Sequence, residues 1–329
     1  MSQPLLSIEN LSTWIDTGDA PVRAVDGLSL TIERGETFAL LGESGCGKSI
    51  TALSVMRLLP EAGRVVDGRV LLDGVDLLQL PETEMRSVRG ARVGMIFQEP
   101  MLSLNPVLTI GAQIIEVLEQ HTEMRTREAQ HKARELLDSV GVPESARRLH
   151  EYPFQLSGGL RQRVMIAMAL ACEPDLLIAD ELTTALDVTI QAQVLDLLRE
   201  LQRTRAMSML LITHDLGVVA GAAHRVGVMY AGQIVETASV AELFARPLMP
   251  YTRALLETRP KLGCSLVPGY RLRPIPGQAP RPMHLPPGCA FAPRCAHVEE
   301  RCSAPQPLDA PADERLVRCV RWPELEGRR

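Results

Sequence analysis

The sequence predicts an α/β fold whose polar, ligand-handling groups stand at the ends of buried strands, and three observations predict it. The apolar run Thr37-Phe38-Ala39-Leu40-Leu41 leads into a glycine-rich loop, and that loop into an apolar helical run over 50–59. Further short apolar runs at 93–97, 176–180 and 208–213 each stop at a polar side chain. Around them lie strand-like alternation over 5–75 and helical periodicity over 109–149.

The loop, Gly42-Glu43-Ser44-Gly45-Cys46-Gly47-Lys48-Ser49, has the form G-x-x-x-x-G-K-S and reads as a phosphate-binding P-loop. Backbone N–H groups can curl around an anionic phosphate only where side chains do not block the approach, hence the glycines. Lys48 adds a point charge for the β and γ phosphates. The Ser49 hydroxyl is placed to ligate Mg²⁺ where the next helix begins.

A chain of 329 residues has room for one large core plus an appendage, or for two modest domains. Its 46% hydrophobic content marks it as globular, and a net charge of −5 without a basic arm argues against a general nucleic-acid surface. The start, Met1-Ser2-Gln3-Pro4, lacks a signal-peptide pattern, and no apolar run approaches the roughly 18 to 20 residues that span a bilayer, so a cytosolic chain is expected. Seven cysteines, an odd number in a reducing compartment, speak against a disulfide framework and turn attention to metal ligation.

Taken in order, residues 5–75 alternate strand-like runs with turns at Arg34-Gly35 and Asp73-Gly74, so an antiparallel sheet is expected beside the P-loop. Trp14 lies there, as a ring stacked on a nucleotide base or as an ordinary strand residue. The run 93–97 stops at Gln98, a carboxamide that can coordinate Mg²⁺ and position a water. Ile110, Ile114, Val117 and Leu118 on one face, and Ala133, Leu136, Leu137 and Val140 on another, indicate a mostly helical insertion. Ser157 is placed to N-cap a helix that opens with Gly158 and Gly159 and turns Leu160, Val164, Ala167, Met168 and Ala171 inward; its N-terminus is a second anion site. The run 176–180 ends in Asp180 and Glu181, one carboxylate for the Mg²⁺ shell and the other to orient and polarise an attacking water. The run 208–213 ends at His214, whose imidazole can contact a γ phosphate. Ligands of open α/β sheets bind at the carboxyl ends of strands, so one fold can bring these groups to one place.

Together these residues resemble the ATPase subunit of ABC transporters, and specifically the peptide and nickel importer branch, over nearly the whole chain. Leu156-Ser157-Gly158-Gly159 is similar to the family's signature sequence, Gln98 to its Gln loop, His214 to its switch histidine and Thr184-Ala185-Leu186-Asp187 to its D-loop. Stretches 97–101, 187–193 and 250–256 resemble the branch in particular. The resemblance implies an ABC-type P-loop NTPase domain over 1–258, with an antiparallel β subdomain and a helical subdomain at about 100–165, followed by a Cys/Pro-rich extension over 259–329. It implies hydrolysis of ATP by Glu181, His214 and Gln98. Nucleotide contacts are implied for Trp14, Gly42 through Ser49, Gln98, Ser157, Gly158, Gly159, Asp180 and Asp187, with Mg²⁺ held by Ser49, Gln98 and Asp180.

The family further implies a second ABC ATPase, expected to be a paralogue, arranged head to tail. The P-loop of one subunit and Ser157 to Gly159 of the other would hold the same γ phosphate. Two membrane permeases are implied, with a short cytoplasmic helix entering a groove near Met101 to Asn105, as are an extracytoplasmic solute-binding protein and a place on the cytoplasmic face of the inner membrane. Di- and oligopeptides are the expected cargo, with nickel, a metallophore or another solute as the alternative. A soluble ABC ATPase of DNA repair or translation is the reading from another class, disfavoured by the lack of a long heptad insertion or a basic stripe. Two departures stand out: Leu182 where the family usually has proline, and Met249 in place of a common histidine. Ile15 is a poor stacker, which leaves Trp14 as the adenine candidate.

Cys289, Cys295, Cys302 and Cys319 sit on the Pro-rich tail, separated by five, six and sixteen residues. Inert buried thiols, a structural zinc site and an iron–sulfur cluster are all open to four cysteines, although zinc sites commonly show shorter paired spacings. The tail resembles the extension of peptide-importer ATPases through Leu285-Pro286-Pro287-Gly288-Cys289-Ala290-Phe291-Ala292-Pro293-Arg294-Cys295, and that resemblance favours a four-iron four-sulfur cluster over zinc.

Overall fold

The computed structural model describes residues 3–18, 20–98, 103–182, 188–258, 274–280, 283–312 and 315–326. Its strands in chain order are β1 (Leu6–Ile15), β2 (Val22–Ile32), β3 (Thr37–Leu41), β4 (Gly63–Leu72), β5 (Val75–Asp76), β6 (Val93–Ile96), β7 (Leu176–Asp180), β8 (Ser208–Thr213), β9 (Arg225–Tyr230), β10 (Gln233–Ser239), β11 (Asp309–Ala312) and β12 (Arg315–Val317). The helices are α1 (Lys48–Met56), α2 (Glu82–Val88), α3 (Ile110–His121), α4 (Thr126–Ser139), α5 (Ser145–Arg148), α6 (Gly158–Ala169), α7 (Val188–Arg205), α8 (Leu216–Ala222), α9 (Val240–Ala245), α10 (Pro250–Glu257) and α11 (Trp322–Leu325). By contacts the chain forms two compact units, one of Met1–Leu6, Thr31–Thr37 and Leu71–Ile212, the other of Ser7–Leu30, Phe38–Val70 and Thr213–Arg329.

In the first unit β6, β7 and β8 pair in parallel, Val93 opposite Leu176 and Leu176 opposite Ser208. Their carboxyl ends therefore come level, Ile96 opposite Ala179 and Asp180 opposite Ile212. All residues of β7 and β8 are buried, as strands covered on both faces require, and this is why they read as unbroken apolar runs. The predicted helical stretch resolves into α3, α4 and α5. Thr109 caps α3 by accepting the Ala112 N–H at 3.2 Å, and Ile110, Ile114, Leu118, Ala133, Leu136, Leu137 and Val140 are buried as the periodicity predicts, while Val117 is only half-buried. Ser157 likewise caps α6, accepting the Leu160 N–H at 3.4 Å. The single inward stripe expected for α6 is too narrow: Gln162, Met165 and Ile166 are buried beside Val164 and Ala167, while Leu160 and Met168 are only half-buried. The helix packs against α3, α4 and β6, so several of its sides are covered.

In the second unit β3 runs parallel to β9, Phe38 opposite Arg225 and Leu41 opposite Val228, and β9 turns into the antiparallel β10. The tail, loop-like in its sequence, adds two strands: β12 pairs antiparallel with β10, Glu236 opposite Val317, and β11 pairs with β12. A separate sheet holds β2, β1 and β4 in that order. The end of β4 forms an antiparallel hairpin with β5 in the first unit, Leu72 opposite Val75.

One buried ion pair fastens the tail. Glu236 and Arg315 stand 3.4 Å apart with side chains 0% and 1% exposed. The carboxylate also accepts the N–H groups of Leu248 at 2.8 Å and Met249 at 3.0 Å, and the guanidinium donates to the Arg246 carbonyl. Burial pushes the Glu236 carboxyl up, opposed by those N–H donors and by Arg315. Arg315→Ala should cost about 3–5 kcal/mol in a denaturant titration, because it strands a buried carboxylate, and E236M/R315M should recover most of that loss. The penalty belongs to the charged carboxylate, whose folded pKa lies above its unfolded value. It should therefore shrink as pH falls through the folded pKa, and a penalty that does not shrink down to the acid limit of folding contradicts this account.

Candidate functional site

The P-loop joins the buried end of β3 to α1 in the second unit. A Cβ on Gly42 would stand 2.4 Å from the Met229 carbonyl oxygen, so the chain can pass there only as glycine. Gly47, the residue before α1, has φ +110°, and a Cβ on it would stand 2.2 Å from the Ala24 carbonyl oxygen. From behind, the Gly232 N–H donates to the Cys46 carbonyl at 2.9 Å, and the Glu43 N–H donates to the Tyr251 hydroxyl at 3.1 Å. Lys48 is 4% exposed and curls over the loop, its Nζ donating to the carbonyls of Gly42 at 2.9 Å and Glu43 at 3.0 Å. Burial pushes the Cys46 thiol up, against the pull of Lys48. Ser44, Gly45 and Ser49 lie in the same loop and at the start of α1, as predicted.

In the first unit the level strand ends deliver the expected carboxamide and carboxylates. Gln98 follows β6 and donates from Nε2 to Glu181 Oε2 at 2.9 Å. Asp180 ends β7 and is 4% exposed. Glu181 has φ +45°, left-handed backbone for a side chain with a Cβ, and its N–H still donates to the Ile212 carbonyl at 2.9 Å. Leu182, where the resemblance expects proline, is 5% exposed, so its side chain joins the apolar interior.

The remaining predicted residues stand as follows. Ser157 and Gly158 are exposed at the start of α6 with Gly159 half-buried, and a Cβ on Gly158 would meet nothing within 4 Å. His214, in the second unit, is exposed in the turn after β8, just before Asp215, which caps α8 by accepting the Gly217 N–H at 2.6 Å. Trp14 is half-buried on β1 with the Arg23 guanidinium 5.4 Å from its ring centroid. Asp187, with 184–186 of the expected D-loop and 99–101 after Gln98, lies outside the described residues.

Two residues near the P-loop escaped the sequence reading as site residues. Arg294, from the tail, forks onto the Glu43 carboxylate at 2.8 and 3.1 Å and donates to the Tyr230 hydroxyl at 3.2 Å. Tyr251, the second, packs with Tyr230 and Phe291 in tilted and edge-to-face contacts, ring centroids 4.5 to 5.4 Å apart. The only available signal was the stretch around Pro250-Tyr251-Thr252, which carried resemblance but no chemistry of its own.

Cys289, Cys295, Cys302 and Cys319 line one tight cavity, along with Phe291, His297 and Arg321. Burial, and the neighbouring thiols, push up Cys289, Cys295 and Cys319, the last to about 11. Among the described residues no three His, Cys, Asp or Glu side chains already stand at metal-holding separations. The cavity thus supplies four soft donors, and a bound cation would oppose the upward push on Cys289, Cys295 and Cys319.

Among the described residues no helix is long and apolar enough to cross a membrane. Residues 25–184 match the ABC transporter family, and 235–302 match the oligopeptide/dipeptide transporter C-terminal region. The oligopeptide transport ATP-binding protein AppD of Bacillus subtilis (strain 168) is 52% identical over 322 residues, covering 97% of each chain. The dipeptide transport ATP-binding protein DppD of the same strain is 48% identical over 319 residues, covering 96% of this chain and 94% of that one. Among solved structures, the dimeric post-hydrolysis state of the ATP-binding cassette MJ0796 bound to ADP and Pi is similar with a TM-score of 0.65 and 27% identity, covering 71% of this chain and 98% of that chain. A P-loop backed by buried strands, a glutamine and glutamate joined at level strand ends, and relatives matched from end to end lead to one assignment: the chain belongs to the ATP-binding subunits of the ABC transporter family and carries the oligopeptide/dipeptide transporter C-terminal region.

Proposed function

We propose that this subunit hydrolyses ATP to drive import of di- or oligopeptides through membrane partners, docked at the cytoplasmic face of the inner membrane. The observation that carries the chemistry is the 2.9 Å bond between Gln98 and Glu181, which holds a water-positioning carboxamide against a water-activating carboxylate. Lys48, now bonded to loop carbonyls, exchanges them for β- and γ-phosphate oxygens. A water attacks the γ phosphorus, its proton passes to Glu181, and the bond to the bridging oxygen breaks to leave ADP and inorganic phosphate. Ser49, Gln98 and Asp180 supply hard oxygen donors of the kind that suits Mg²⁺, which offsets phosphate charge when bound. His214 meets the γ phosphate, Trp14 the adenine and Asp187 the partner subunit.

Peptide cargo is supported by the C-terminal region match and by the names of the Bacillus relatives. A permease helix is received by the exposed apolar side chains Phe97, Val107, Leu108, Tyr152 and Phe154, the last two stacked with centroids 5.6 Å apart. The solute-binding protein acts through those permeases. The partner ATPase is a paralogue, and Ser157 to Gly159 serve the nucleotide held by its P-loop. Gly158 supports this, since among the described residues nothing lies within 4 Å of where its Cβ would stand.

Glu181→Gln should keep ATP affinity within a few-fold while turnover of the assembled complex falls at least about 100-fold, the loss of the proton acceptor. Near-normal hydrolysis would remove Glu181 from its role. For sharing across the dimer, a Lys48→Ala subunit paired with an intact partner should lose one composite site and a Ser157→Ala subunit the other. If the two defects fall on the same site, the sharing is refuted.

We further propose that the four cysteines hold a four-iron four-sulfur cluster that orders the tail; zinc is the rival occupant. Anaerobically purified protein should contain iron and sulfide in equal amounts with a broad visible absorbance, whereas stoichiometric zinc without iron decides for the rival. Ligating thiols must lose their protons, so reconstitution of the apoprotein should release protons and weaken as pH falls from 8 to 6.

A further inference from the structure

Arg294 lies between two of the cavity cysteines in sequence, in a short 3-10 turn over Ala292–Arg294, yet its charge is spent on the P-loop. Its side chain is 6% exposed and makes a forked pair with Glu43, whose side chain is 27% exposed. The fork is fixed from the other side: Nε donates to the Pro276 carbonyl at 2.9 Å, and the guanidinium carbon stands 5.9 Å from the ring centroids of both Tyr230 and Phe291. An arginine held this way has little freedom to leave. Glu43 is the residue after Gly42, and its own carbonyl accepts from Lys48 Nζ. Its carboxylate is thus a negative charge built into a loop that must receive a polyanion, and Arg294 is the cation that cancels it.

We propose that Arg294 is a positioning residue for nucleotide binding: by neutralising Glu43 it lets the P-loop accept phosphate charge, so the C-terminal extension sets the affinity of the ATP site. This rests on the reading that the loop holds nucleotide phosphates. The pair separates charge from packing by the sign of each substitution. Arg294→Gln leaves Glu43 uncompensated and should weaken Mg-ATP binding to the full chain roughly tenfold, more than Mg-ADP binding, as a Coulombic effect scales with ligand charge. Glu43→Gln leaves the arginine uncompensated and should tighten Mg-ATP binding about threefold. E43Q/R294Q should return to within about twofold of the parent, R294K should bind better than R294Q, and raising salt should shrink all the differences.

The measurement is isothermal titration of the purified full chain with Mg-ATP and Mg-ADP, alongside a melting curve and the iron and zinc content of each variant. A purely structural arginine would lower the melting temperature and move both single variants the same way. If R294Q binds like the parent, or if the double variant is as weak as R294Q, the inference is overturned. If R294Q does not fold, E43Q decides: tighter binding supports the inference, and unchanged or weaker binding overturns it. A parent chain that binds no nucleotide would sink the phosphate reading of the loop first, and this inference with it.

Discussion

The backbone of residues 42–47 is held in its shape by close neighbours in the second unit. Gly47 is left-handed because the Ala24 carbonyl fills the space of its missing Cβ, and Gly42 is bare because Met229 does the same. Those two carbonyls come from β2 and β9, so the flanking sheet and the core sheet each press on the cradle. The turn after β9 adds the Gly232 N–H, and α10 adds the Tyr251 hydroxyl as an acceptor. Beyond the Lys48 and Glu43 side chains, this cradle of main chain is stiffened by what packs against it. Its shape is therefore a property of the whole second unit, and core substitutions there act on nucleotide binding without touching nucleotide.

What the sequence made legible follows from locality. The P-loop, the Ser157 cap and the strand ends at Gln98 and Asp180 are each written within a dozen residues, where spacing and residue type carry the geometry. Parallel pairing then fixes the level of β6, β7 and β8, so the meeting of Gln98 with Glu181 needs only the strand assignment. Long-range pairs had no such signal. Arg294 meets Glu43 across 251 positions and Arg315 meets Glu236 across 79, and nothing in local periodicity marks an arginine that will be buried. The tail reads as loop because β11 and β12 are four and three residues long, with β12 leaning on β10 and β11 on β12 for their pairing. The inward face of α6 is wider than its periodicity predicts for a related reason: a helix enclosed on several sides leaves no single stripe.

One of the left-handed residues with a side chain stands at the candidate site. Glu181 carries its carboxylate on a left-handed backbone, a conformation that costs a residue with a Cβ roughly 1–2 kcal/mol. The strand ladder holds it there, since the Glu181 N–H still bonds to Ile212 beyond the last residue of β7. Leu182 then turns into the interior. A proline at that position would fix φ but bring less apolar surface, so leucine anchors the same turn by burial in place of ring stiffness.

The two glycine-lined anion sites differ in what makes glycine necessary. At Gly42 and Gly47 the chain's own carbonyls occupy the space, so the requirement is internal and the loop is complete within one unit. At Gly158 the space is open, the backbone is helical, and alanine would be the better helix former by up to about 1 kcal/mol. A helix start that forgoes that stability, capped by Ser157 and exposed to solvent, makes sense as a surface awaiting close approach by something from outside the chain. The first site is preorganised and can be tuned from behind, by Arg294 and the tail that carries it. Under the proposed function, the second would be completed by a ligand that another subunit brings, so that one fold could bind nucleotide alone while hydrolysis waits for assembly.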